Sequence, residues 1–292
     1  MTALRNLLLL VPAVMGLSCT NDQGINELRF ENVAVATGDF DRIEEALARN
    51  DIRFTPYEGY IEQPVYAEDV DPGSMAVGTE VLFGGTNNDG DPELYSYDAV
   101  FVNSGTRGLG AYAYNSLDPD DSIVASEESV SEVVAYVSTN RTLVVSDWAY
   151  DLVEAGWPES ITFLDEEEGY DGAQAGLDAS VIADVVDEGL AEVLLNDQLQ
   201  LDFDFSYWTV MESVSDDVQV YLRGDVEYRT ADNSGTATLD DVPLLVGFDA
   251  GRGRVIYSSF SWKAQSQAVT DLLLLYLAEG LEVETSHTEA SD

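Results

Sequence analysis

Histidine, cysteine and lysine are nearly missing from this 292-residue sequence: each occurs once, as His287, Cys19 and Lys263. A single cysteine excludes an intrachain disulfide, so the core must hold the fold without covalent help. Metal sites built on imidazole or thiolate are excluded by count, which leaves oxygen ligands and therefore Ca²⁺ or Mg²⁺. Basic charge is scarce as well. Twelve Lys and Arg stand against 56 Asp and Glu, for a formal charge of −44. Affinity for nucleic acid comes mainly from basic side chains displacing counterions, so no nucleic-acid partner is expected, and anionic lipid headgroups are repelled in the same way. The acids are spread along the whole length, which fits a surface facing a salty medium, where a Debye length of about 8 Å or less makes self-repulsion tolerable. Apolar residues are not scarce. They make up 45% of the chain, enough to bury a real core in one large domain or two small ones.

The longest apolar run, Leu7 to Leu17, is broken only by Pro12 and Gly16 and falls short of the roughly 20 residues of a membrane span. With Arg5 before it and Ser18-Cys19 after it, residues 1–18 read as an export signal peptide. Cys19 stands where a bacterial lipoprotein signal places the residue that is lipidated and becomes the mature N-terminus. Gly16 occupies the position, three before the cysteine, where such signals usually carry Leu, so ordinary secretion stays open as the alternative. Residues 19–28 follow as a polar linker, 29–280 as the folded domain and 281–292 as a polar tail. The expected location is the cell envelope, in the periplasm or at the outer membrane, with membrane contact through the lipid anchor alone.

Phe30 to Thr37 predicts a strand, Gly38-Asp39 a turn, and Phe40, Ile43 and Leu47 one face of a helix that Asp39 or Asp41 can cap and Asn50 ends. Ile52 to Thr55 returns as a strand, and the Gly/Asp/Asn-rich stretch from Gly84 to Pro92 reads as loop or edge structure. Tyr97 to Asn103 and Thr142 to Ser146 have the composition of strands buried on both faces of a parallel sheet, with a helix face of Val130, Val133, Val134 and Val137 between them. Asp147 is expected to cap the next helix, Trp148 to Ala155. The alternation predicts an α/β fold, a three-layer parallel sheet with helices on both faces. From about Leu199 the pattern changes. Leu201, Phe203 and Phe205 alternate with acids, Val218 to Tyr228 alternates again, and Asn233-Ser234-Gly235 is a turn, which predicts an antiparallel β-rich insertion or edge over about 199–240. A hairpin of Pro243–Asp249 and Arg254–Phe260 and a helix from Ala264 to Ala278 close the domain.

With this order, residues 31–280 resemble the type 1 glutamine amidotransferase-like superfamily, which includes trehalose-utilisation-type proteins. The resemblance is carried by residues 97–105 (YDAVFVNSG), 141–151 (RTLVVSDWAYD) and 243–265 (PLLVGFDAGRGRVIYSSFSWKAQ). It implies a flavodoxin-like fold. Its amidotransferase members use a cysteine on a sharp strand-to-helix turn, made a thiolate with the help of a histidine. Neither residue is available here, because Cys19 is the expected lipid anchor and His287 lies in the polar tail. At that turn this chain has Val145-Ser146-Asp147-Trp148-Ala149. An aspartate there resembles the nucleophile of α/β-hydrolase dehalogenases, but hydrolysis of its ester needs a histidine to activate water, which leaves helix capping as the expected role of Asp147.

Two loops, Asn87-Asn88-Asp89-Gly90-Asp91 and Asp232-Asn233-Ser234-Gly235, have the composition of calcium ligands without EF-hand spacing; turn chemistry accounts for both, and no cofactor is expected, Ca²⁺ being the sole candidate. Paired carboxylates for glycoside hydrolysis cannot be singled out among 56 acids. Glu166-Glu167-Glu168 reads as a solvated loop and Gly251-Arg252-Gly253 as a hairpin turn. Open parallel sheets bind ligands beyond the carboxyl ends of their strands, at a switch in strand order. Those ends carry Ser104, Arg107, Asp147, Trp148, Trp262 and Lys263, expected around one concave surface where Arg107 and Lys263 form a local well for a carboxylate or a polar sugar. The sequence thus predicts no catalytic residue and a lipid-anchored, non-catalytic domain that binds a small polar ligand or an envelope protein. The alternative is a carboxylate-dependent hydrolase acting on carbohydrate, supported if several of Trp148, Trp157, Trp208 and Trp262 line one cleft.

Overall fold

The computed structural model describes residues 32–59, 78–106, 127–164, 173–230 and 234–283. The expected signal segment, Cys19, Arg107, Glu166-Glu167-Glu168, Asp232-Asn233 and His287 lie outside them. Among the described residues the strands are β1 (Val33–Ala36), β2 (Phe54–Tyr57), β3 (Ala99–Val102), β4 (Thr142–Ser146), β5 (Ile161–Phe163), β6 (Ala175–Gly176), β7 (Ala179–Val185), β8 (Gln198–Phe203), β9 (Trp208–Thr209), β10 (Met211–Val214), β11 (Gln219–Arg229), β12 (Thr236–Ala250) and β13 (Gly253–Ser258). The α-helices are α1 (Ile43–Arg49), α2 (Thr79–Gly84), α3 (Glu127–Ser138), α4 (Tyr150–Gly156), α5 (Glu188–Leu194) and α6 (Gln267–Val283).

The parallel half has the order β2-β1-β3-β4-β13, with Val33 opposite both Phe54 and Ala99, and Thr142 between Ala99 and Arg254. This is the flavodoxin-like doubly wound order, with β13 in fifth place. Every residue of β1, β3 and β4 is buried. Successive side chains of a strand point to opposite faces, and the core divides accordingly. Ala34, Ala36, Val100, Val102, Leu143, Val145 and Tyr257 join one apolar cluster with Leu82, Phe83, Val133, Val137, Leu152 and Val153 of α2, α3 and α4. Val33, Val35, Phe101, Val144 and Ile256 join the other with Ile43 and Leu47 of α1 and Leu273, Leu274 and Leu277 of α6. Two covered faces explain why these strands read as unbroken apolar runs.

Beyond β13 the sheet turns antiparallel through β12 and β11, and β7 and β8 extend it from β11. This β-rich region begins at Ala175, well before the expected Leu199. The reason is Ile182. Val181, Ala183 and Val185 point inward with period two, but Ile182 is 56% exposed between them and masks the alternation. The expected strand from Pro243 is the inner half of a longer one, β12. Pro243 sits opposite Arg223 where the register shifts, and Asp241 has φ +55, so the proline lies at a bulge where its missing N–H costs no ladder bond. Among the described residues no helix is long and apolar enough to cross a membrane.

Candidate functional site at the carboxyl edge of the parallel sheet

Four loops meet where β1, β3, β4 and β13 end. The loop after β1 lies against the loop after β3: Phe40 N–H donates to Ser104 O (3.1 Å) and Asp39 N–H to Gly105 O (3.3 Å). Position 38 must be glycine, because a Cβ there would stand 2.3 Å from Ser104 O. The loop after β13 joins them through Ser261, whose hydroxyl donates to Phe40 O (3.0 Å).

Two buried carboxyl groups hold the junction together. Asp41 is fully buried and accepts from Ser146 Oγ (2.6 Å), Arg42 N (2.7 Å), Lys263 N (3.0 Å) and Ser261 Oγ (3.2 Å). Ser146 Oγ in turn accepts from Ser104 N (3.0 Å), and Ser104 Oγ donates to Asp147 Oδ2 (3.0 Å). Asp147 Oδ1 accepts from Thr209 N (2.8 Å), and Tyr257, hydrogen-bonded to the Thr209 hydroxyl, donates to the Asp147 carbonyl (3.0 Å). Burial pushes the Asp147 carboxyl up to about 8, partly countered by these donors, and raises that of Asp41 as well. Burial also pushes the half-buried Glu44 up to about 7, although Asn103 Nδ2 donates to it at 2.7 Å.

Asp147 has φ +46 and opens a 3₁₀ turn, Asp147–Ala149, that leads into α4. It therefore occupies the sharp strand-to-helix elbow, and its expected role as a helix cap is corrected: neither the 3₁₀ turn nor α4 has a side-chain cap. The carboxyl is drawn instead to the Thr209 amide of β9, which the β-rich region lays over the elbow. The same holds at α1: of the amides at the start of that helix Asp41 accepts that of Arg42 alone, its other donors come from Ser146, Ser261 and Lys263, and the helix lacks a side-chain N-cap.

Of the residues expected at this edge, Ser104, Asp147 and Trp148 touch: Trp148 N–H donates to Ser104 Oγ at 3.4 Å. Lys263 joins through its main-chain N–H on Asp41, leaving its side chain exposed. Trp262 is corrected to a core residue, 2% exposed and 5.5 Å from Phe260, in the cluster on the α1/α6 face. Trp148 packs against the opposite cluster, so the sheet separates the two indoles. The remaining two divide in the same way, Trp208 buried with Trp262 on the α1/α6 face and Trp157 against Phe248 on the other. The sequence offers Asp41 only as a cap, and Phe205 and Tyr257 only as strand positions; nothing local marks these residues, Thr209 or Tyr207 as part of the site, because their placement depends on long-range pairing.

Among the described residues no group of three or more acidic, His or Cys side chains is placed to hold a metal ion. The loop at Asn87 is closed as a turn, with Asn87 Oδ1 accepting from Asp89 N (3.0 Å) and Asp91 N (3.1 Å).

No protein-family model matches the sequence, and no curated protein does. Solved structures similar in fold include PurLQS from Thermotoga maritima, at 11% identity and a TM-score of 0.48, covering 85% of this chain and 99% of that one. A ThuA-like protein from Bacteroides uniformis aligns at 12% identity and a TM-score of 0.44, over 84% of this chain and 89% of its own. A β-galactosidase from Bacillus circulans sp. alkalophilus aligns at 13% identity and a TM-score of 0.37, over 64% of this chain and 23% of its own. The fold assignment rests on the strand order and the two covered faces.

Proposed function

We propose that this protein is an exported, lipid-anchored, non-catalytic α/β domain that binds a small polar ligand or a protein partner at the cell envelope. The observation that carries this reading is the elbow. Where a nucleophile would stand exposed, Asp147 is 4% exposed, has both carboxyl oxygens engaged, and is held toward its neutral form by burial. A neutral acid is neither nucleophile nor general base, and the groups bonded to it are hydroxyls and amides that cannot take its proton at neutral pH. The carboxyl edge keeps the hydroxyl-rich loops that suit it to binding. Export and anchoring rest on residues 1–19.

The test is a thermal-shift screen of sugars, amino acids, carboxylates and amines on the mature chain, beside an assay for ammonia release from glutamine. A stabilising ligand and no release above the buffer rate are expected; turnover abolished by Asp147→Asn would overturn the reading. Cys19→Ser should move the protein from the membrane fraction to the soluble exported one. A wild type already soluble with an unmodified mature N-terminus would refute anchoring.

A further inference from the structure

An aromatic ledge stands beside the elbow. Phe205 and Tyr207, each 46% exposed, project from the loop between β8 and β9. Phe205 stacks on the half-buried Phe40, with ring centroids 5.2 Å apart and planes 20° apart. The rings of Phe205 and Tyr207 form a wedge of 48° with centroids at 6.1 Å.

The loop that carries them is tightly held. Tyr207 has φ +96, a region that bulky side chains avoid. Its N–H donates to Gly176 O (2.8 Å), its carbonyl accepts from the Trp148 indole, and the neighbouring Ser206 hydroxyl bonds Asp178. Next to it, Trp208 Nε1 donates to Leu177 O (2.8 Å), and its indole lies so close to Gly176 that a Cβ there would stand 2.0 Å from the ring. Strain of this kind persists only where the surroundings over-determine it, and it gathers at ligand clamps. Here it fixes two rings that face water, at the end of a doubly wound sheet where ligands enter.

Charge decides what those rings would take. The face of an aromatic ring is the negative end of its quadrupole and attracts cations. The chain carries −44, and exposed Asp204 and Asp178 flank the ledge, so an anionic ligand is repelled there. One ring already holds a cation: Arg229 Cζ lies 4.8 Å from the Tyr207 centroid. Its Nε is buried without a hydrogen-bond partner, and among the described residues no carboxylate pairs with it, in a chain that has 56 acids to offer. We infer that the ledge of Phe40, Phe205 and Tyr207 binds an organic cation, a methylated or quaternary ammonium group seated in the wedge between Phe205 and Tyr207. This rests on the binding reading above and supplies its ligand class.

The probes are tetramethylammonium and choline, titrated into the mature chain at low salt and followed by calorimetry, with 3,3-dimethylbutan-1-ol as the neutral isostere of choline. Choline should bind in the millimolar range and its isostere about tenfold more weakly or worse. Phe205→Ala and Tyr207→Leu leave the net charge unchanged and should each lower choline affinity about tenfold. Phe205 lies outside the core, so its variant keeps the wild-type melting temperature and remains a valid test if the Tyr207 variant unfolds. Choline affinity unaltered by Phe205→Ala would trace binding to the acidic surface at large and overturn the inference, as would equal affinity for the isostere. A sugar or carboxylate that stabilises the protein while choline does not bind would overturn the cation class and leave the binding-domain reading standing. Glutamine or glycoside turnover would overturn that reading whatever choline does.

Discussion

A carboxyl group taken out of water must find other donors or keep its proton, and Asp147 does both. Its oxygens meet Ser104 and Thr209, yet burial still lifts it to about 8, where an exposed aspartate titrates near 3.8. The native state therefore holds a proton that the unfolded chain releases over this interval. The sign follows: the unfolded state binds fewer protons, so stability is fully present below about pH 4 and is lost as pH rises to about 8. Glu44, lifted to about 7, acts in the same direction. Ordinary carboxylates are ionised by about pH 5.5, and the sole histidine, His287, is expected in a polar tail, so the slope above that pH is assigned to these buried groups. Denaturant melts should show the wild type losing about 3 kcal/mol through Asp147 between pH 5.5 and pH 8, and at most about 2 kcal/mol more through the half-buried Glu44. Asp147→Asn should remove most of that loss and be the more stable protein at pH 8.5. Parallel pH curves for the two proteins would show that Asp147 stays ionised in the fold. At Gly38 the effect is steric: Gly38→Ala forces a Cβ to 2.3 Å from Ser104 O, and separation of the two loops should cost about 2–4 kcal/mol in the same melts.

At the scale of elements, the parallel half was legible because its strands are covered on both faces and its helices on one. Val100-Phe101-Val102 and Leu143-Val144-Val145 are unbroken apolar runs, and Val133 and Val137 keep helical spacing. The β-rich half was only partly legible. Leu201, Phe203 and Phe205 share one alternation, but β8 ends at Phe203, and Phe205 leaves the sheet to stack on Phe40. A period of two cannot mark where a strand stops. Likewise, the sequence around Asp147 has the form of a strand, a capping residue and a helix; only the arrival of β9 from over sixty residues away redirects the carboxyl. Ser104 tests how firmly that junction couples the elements. Its hydroxyl links the loop after β3 to the elbow, donating to Asp147 and accepting from Trp148 N–H. Ser104→Ala leaves a buried oxygen and an amide short of a partner and should cost about 1–3 kcal/mol. Hydrogen exchange should quicken at Trp148 and Thr209 more than at β1; uniform loss of protection would mean that the hydroxyl supports the whole fold equally.

Over the whole molecule the dominant quantity is charge. Surface ion pairs such as Arg49–Asp271 at 3.0 Å and Arg223–Asp241 at 3.7 Å engage few of the 56 acids, and each is worth at most about 1 kcal/mol. The rest repel one another, and folding brings them closer than they stand in the extended chain. Salt shortens the range of that repulsion from about 30 Å at 0.01 M to about 8 Å at 0.15 M and about 3 Å at 1 M. The melting temperature should therefore climb steeply with NaCl at the dilute end, by about 5–10 °C between 0.02 and 0.5 M, and level off above it. The shape of the curve carries the argument. Exclusion of solute from the protein surface also stabilises, but it grows in proportion to concentration and has no plateau. A melting temperature flat below 0.5 M and rising steadily beyond would mean that self-repulsion is already relieved within the fold. The same screening should weaken choline at the ledge to the extent that the acidic field, rather than the rings alone, brings it there.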